Sequence, residues 1–147
     1  MKFLTKGLKE KYMVDFNEKV LNSTHEYWGL DNGLRVILID INKNQKIQTL
    51  YSKRGTQTEC ISYLFIAIDR NYLNKINKIG NVLTNMSEVY EFCVNEPTQF
   101  LNNADENMAC NNDKDYFNIS VFCFYCISNN EENHNTFWDY LYENLVV

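Results

Sequence analysis

The sequence predicts an α+β fold: a mainly antiparallel sheet of about five or six strands packed by an N-terminal and a C-terminal helix, in one domain over residues 1–147. Three observations carry this expectation. Helical periodicity is strongest near the two ends, and short β-branched and aromatic runs between turn signals fill the middle. No linker or internal repeat divides the chain. At 147 residues, with 45% apolar and 14% aromatic content, it has the size and composition to build one core.

Taken in order, Phe3 to Leu21 predicts an amphipathic helix. Leu8, Tyr12, Phe16 and Val20 recur every four residues, Met13 and Leu21 widen the stripe, and Asn22-Ser23-Thr24 ends it. Tyr27 to Leu30 reads as a short strand, and Asp31-Asn32-Gly33 as a hairpin turn, since Asn-Gly suits positive φ. Leu34 to Ile41 is rich in β-branched residues and predicts a strand. A turn over Asn42 to Gln45 leads into Lys46 to Ser52, where alternation puts Ile47, Thr49 and Tyr51 on one face and completes a three-stranded meander. Cys60 to Asp69 suits a buried strand or a helix, and its composition favours the strand. Leu73, Ile76 and Ile79 predict a helix over Asn71 to Ile79 with Gly80 as its cap. Glu88 to Val94 reads as a strand stopped by Pro97, and Thr98 to Cys110 as a loop or short helix. Tyr116 to Ile127 is apolar on both faces and predicts a central strand. Thr136 caps a final helix through Leu145, with Phe137, Trp138, Tyr140, Leu141 and Leu145 on its buried side.

The composition excludes several classes. One Pro and five Gly argue against a low-complexity chain. Lys6, Lys9, Glu10 and Lys11 interrupt any secretory apolar region, and no apolar run reaches the roughly 18–20 residues of a spanning helix. Five Cys without a regular framework suit reduced thiols in a cytoplasmic protein. The chain holds 22 Asn, often paired, which reads as compositional drift with turn chemistry and carries no function. On the same grounds the sequons at Asn22, Asn85 and Asn118 are not read as glycosylation sites.

Catalytic signals are thin. Cys123-Phe124-Tyr125-Cys126 spells CxxC, but on a strand its two thiols point to opposite faces, and buried structural thiols are the favoured reading. His25 and His134 read as ordinary junction or surface histidines, with a Cys110–His134 nucleophilic pair as the competing reading. Lys43, Lys46, Lys53 and Arg54 read as solvated hairpin tips in preference to a phosphate site. No nucleotide, zinc or hydrolase motif occurs, and Asp113-Lys114-Asp115 lacks the Gly and terminal Glu of a calcium loop. No catalytic residue, cofactor or metal is therefore assigned.

Charge distribution carries more. Residues 1–80 hold 13 of the 14 basic residues and 8 of the 19 acidic ones, a net of +5. Residues 81–147 hold one base, Lys114, against eleven acids, a net of −10. A field of one sign opposes compactness unless something uses it. The acidic stretches at 102–115 and 129–135 flank the predicted central strand as loops, emerging near its ends or converging if the strands between fold back. Such a face suits a basic protein partner, mimicry of a nucleic-acid phosphate row or, least well, a divalent cation; a merely soluble acidic surface is the plain alternative.

Small, acidic, motif-free and α+β, the chain resembles in type the immunity proteins encoded beside bacterial toxins, including those of contact-dependent growth inhibition and colicin-type nucleases. The resemblance covers composition and size and carries over no residues. It implies a non-enzymatic, cytoplasmic inhibitor of a basic toxin domain, without direct nucleic-acid or membrane binding. Asp105, Glu106, Asp113, Asp115, Glu131 and Glu132 are the candidate electrostatic contacts, with Tyr116 and Trp138 as aromatic anchors. A phage or viral protein that blocks a host defence factor would use the same face, and a small Cys/His enzyme is the third reading.

Overall fold

The computed structural model describes residues 32–95 and 119–146. Their elements run α1 (Asn32–Asn42), β1 (Ile47–Lys53), β2 (Ile61–Asp69), a 3-10 turn (Arg70–Tyr72), α2 (Leu73–Met86), β3 (Tyr90–Asn95), β4 (Ile119–Ile127) and α3 (Glu131–Leu145). The four strands form one antiparallel sheet in the order β1-β2-β4-β3. The α+β class and the antiparallel sheet are as the sequence predicts, with four strands among the described residues where five or six were expected. The predicted N-terminal helix over 3–21, the strand at 27–30 and the segment 98–110 lie outside the described residues.

Leu34 to Ile41 is helical, which corrects the predicted strand and dissolves the meander. Leu34, Leu38 and Ile41 are buried on one side, while Val36 is 58% exposed. Spacings of four and three fit a turn of 3.6 residues and not an alternation of two. The run is apolar nearly all round, so both periods were open, and packing overrode β propensity. Two buried asparagines then fix the turn into β1. Asn42 donates its amide to Leu38 O at 2.9 Å and Thr49 Oγ1 at 2.6 Å, and accepts from Thr49 N at 3.0 Å. Asn44 donates to Leu145 O at 3.1 Å and so ties the same turn to the end of α3.

Within β1 the register shifts between Thr49 and Tyr51, leaving Leu50 as a bulge. One extra residue turns the rest of a strand over. Tyr51 therefore stands opposite Phe65, on the face away from Ile47 and Thr49, which corrects the predicted alternation. In α2, Gly80 is not a cap but an interior residue. A Cβ there would collide with the Phe92 ring, so glycine permits close approach of α2 to β3. Phe92 in turn stacks on Phe122 and Phe124, with ring centroids 5.4 and 5.2 Å apart.

The central position of β4 is as predicted, over residues 119–127. Its two faces differ. Phe122, Phe124 and Cys126 join Leu64, Ile66 and Ile68 of β2 in the core with buried residues of all three helices, so these helices lie on one face of the sheet. The other face carries Tyr51, Tyr63, Phe65 and Tyr125 in edge-to-face contact. Gln48 lies fully buried on that second face, and among the described residues neither of its amide atoms has a hydrogen-bond partner. Among the described residues, no helix is long and apolar enough to cross a membrane.

Candidate functional site

The described part of the acidic half is dominated by α3. Its start is set by Asn130, whose side chain accepts from Glu132 N at 3.0 Å, and not by Thr136. The stretch 129–135 is thus not a loop, because Glu131 and Glu132 occupy the first helical turn. Acids there are favoured by the unpaired N–H groups and the positive end of the helix dipole. At 100° per residue Glu132, Asp139 and Glu143 fall within about 40° of one another, and their row is about 16 Å long. His134, Phe137, Trp138, Leu141 and Leu145 lie on the opposite, buried side. Glu131, Glu132, Asp139 and Glu143 are all exposed, and α3 contains no Lys or Arg. Among the described residues, none of the four has a basic partner within ion-pairing distance.

Asp105, Glu106, Asp113, Asp115, Tyr116 and Cys110 lie outside the described residues. Trp138 is 1% exposed and packs edge-to-face on Phe137, with centroids 5.1 Å apart. Its burial is as the sequence predicts for that side of the helix, and it corrects the assignment as an anchor, because no exposed ring is left to meet a partner. It faces inward because α3 starts at Glu131 and turns its 134–138–141–145 side onto the sheet.

Beneath Trp138 lies a closed polar network. Ser62 Oγ accepts from Gly55 N at 2.7 Å and from Trp138 Nε1 at 3.3 Å. A serine hydroxyl has two acceptor positions and one donor, so its proton goes to His134 Nδ1, 2.7 Å away. The His134 proton is then on Nε2, which donates to Ser128 O at 2.7 Å. His134 and Ser62 are both fully buried, with every hydrogen-bonding position of the pair in use. The arrangement pins α3 to β2 and to the chain at Gly55, where a Cβ would strike the His134 ring. This corrects the reading of His134 as a surface or junction residue.

Three of the four basic residues weighed as a phosphate site are engaged. Lys43 pairs with Asp40 at 3.0 Å, Lys53 approaches Glu59 at 3.6 Å, and Arg54 Nη2 donates to Asn135 Oδ1 at 2.6 Å. As predicted for a strand, Cys123 and Cys126 point to opposite faces. Burial pushes the Cys126 thiol up to about 11 and the Cys123 thiol further, the latter with a smaller contribution from the Cys93 thiol against an opposing one from Tyr125. Among the described residues, no group of three or more His, Cys, Asp or Glu side chains is placed to hold a metal ion.

Comparison with protein-family models, with curated proteins and with solved structures finds no match to this chain. Two residues that sequence reasoning counted as acids but did not nominate, Asp139 and Glu143, complete the row with Glu132. Their spacings of seven and four were visible in the sequence once the helix is started at Asn130 instead of Thr136.

Proposed function

We propose that this chain is a non-enzymatic binding protein that engages a basic protein partner through its acidic C-terminal half, as an immunity protein neutralising a nuclease toxin would. The observation that supports this most directly is the row Glu132, Asp139 and Glu143, exposed and without basic partners among the described residues, within a half of net charge −10. Like charges aligned on one exposed face do little for folding, and a complementary positive surface would recover the energy of their repulsion. In this reading the carboxylates chiefly raise the association rate and exclude acidic partners. A nuclease toxin is a partner of suitable chemistry, because a surface that binds phosphates is basic.

The test is capture from the native host with the full chain, side by side with a triple variant Glu132→Lys, Asp139→Lys, Glu143→Lys. The expected outcome is a basic protein retained by the natural chain and lost from the variant, with an association rate that falls at least about tenfold between low and high salt. Equal capture by both chains, or a salt-independent association rate, would overturn the acidic-row reading. A captured host defence factor in place of a toxin would move the proposal from immunity to counter-defence.

A further inference from the structure

Cys93 of the edge strand β3 stands directly opposite Cys123 of the central strand β4. The ladder hydrogen bonds give the type of this pair. Ile127 N donates to Val89 O at 2.9 Å, so residues 89 and 127 form a hydrogen-bonded pair. Alternation along the ladder makes 91 with 125, and 93 with 123, pairs of the same type. Such residues have Cα atoms about 5.5 Å apart, inside the range of about 4.4–6.8 Å that disulfides span. Directly opposed side chains rise from the same face of a sheet. Their Cβ atoms start about 5 Å apart and must close to about 3.8 Å, so a bond draws the edge strand inward. Among the described residues, no strand pairs with the outer side of β3 to resist that movement.

The two thiols differ in access. Cys93 is exposed and Cys123 is buried, and neither is in a disulfide. Cys126, the other buried thiol of β4, faces the opposite side of the sheet and packs in the core. Of the four described cysteines, only Cys93 and Cys123 are paired in register.

We propose that Cys93 and Cys123 form a redox pair in which a low-molecular-weight disulfide reacts at the exposed thiol and the buried thiol then closes a cross-strand disulfide. In the first step the Cys93 thiolate attacks one sulfur of the small disulfide. A bond to Cys93 Sγ forms, the small S–S bond breaks, and one small thiolate leaves. In the second step Cys123 gives its proton to solvent and attacks Cys93 Sγ, expelling the second small thiolate. The protein loses two hydrogen atoms in total, and the small disulfide is reduced to two thiols. Burial of Cys123 disfavours its thiolate, which makes the second step slow near neutral pH and dependent on base. The product ties the edge strand covalently to the centre of the sheet.

The experiment uses the full chain with Cys110→Ser, treated with glutathione disulfide, quenched by alkylation and mapped by mass spectrometry. The expected product is a Cys93–Cys123 bond, formed from the mixed disulfide about tenfold faster at about pH 8.5 than at about pH 7.5. Adding Cys93→Ser, a change at an exposed position, should leave Cys123 as a thiol that alkylates after unfolding. A mixed disulfide at Cys93 that persists at the higher pH beside a free Cys123 would overturn the proposal. So would a bond from Cys93 to any cysteine other than Cys123.

Discussion

The two sides of α3 answer to different demands. Its inner side carries His134, Phe137, Trp138, Leu141 and Leu145, all buried, with both polar groups there bonded to named partners. Its outer side carries Glu132, Asp139 and Glu143, exposed and without a basic partner among the described residues. The inner side is fixed by packing density and hydrogen-bond satisfaction, so nearly any change there is felt. On the outer side no packing constrains residue identity, beyond the preference of the first turn for an acid at Glu132, and charge is free to serve recognition. The same fifteen residues thus separate what stability requires from what stability leaves open.

Four variants sharpen or break this separation. Trp138→Ala should destabilise most, by about 3–5 kcal/mol, through a large cavity in the core. Ser62→Ala follows at about 2–4 kcal/mol, because it strands Gly55 N, Trp138 Nε1 and His134 Nδ1 at once. Urea unfolding measures both, and a loss under about 1 kcal/mol for either would mean that the inner side is less constrained than its geometry states. Asp40→Asn tests the contact between α1 and the flank of α3, where Asp40 accepts from Tyr142 Oη at 2.8 Å and pairs with Lys43. The Lys43 and Tyr142 hydrogen bonds hold the Asp40 carboxyl below its ordinary 3.8. Its stabilisation is therefore present above that value and is lost as pH falls through and below it. At neutral pH the variant should lose a few tenths of a kcal/mol, and the difference from the natural chain should vanish by about pH 2. The smallest effect belongs to the triple reversal at Glu132, Asp139 and Glu143. Lysine is unfavourable at the first turn and favourable at the last, so the net change should stay within about 0.5 kcal/mol. A large stability loss there would show that the outer side is not free.

Legibility in the sequence followed the strength of the local signal. Strands β2 and β4 were readable because β-branched and aromatic runs of nine residues lie between clear turn signals. The inner side of α3 was readable from its spacing, although its first turn was not: both Asn130 and Thr136 are good caps, and the two glutamates after Asn130 were the deciding sign. Leu34 to Ile41 misled because nearly every residue is apolar, which erases the contrast that separates the two periods. The role of Gly80 could not be read locally, since it depends on Phe92 arriving from another element. Likewise, His134 gave no sequence sign of its partners, Ser62 and Ser128, which come from β2 and from the turn after β4. The acidic half was legible as composition, and its alignment on α3 became visible only with the helix register. Asp105, Glu106, Asp113 and Asp115 remain candidates outside the described residues.

The strand order has a consequence for biosynthesis. Because β4 comes last among the described strands but lies between β2 and β3, these strands have no centre until residue 127 has left the ribosome. Until then, among the described strands, β2 has no partner on its edge next to Leu64, Ile66 and Ile68, and β3 has none on either edge. Unpaired edges beside apolar faces invite pairing between nascent chains. Translation stalled before residue 119 would release a product that cannot complete its sheet and has aggregation as its readiest outlet.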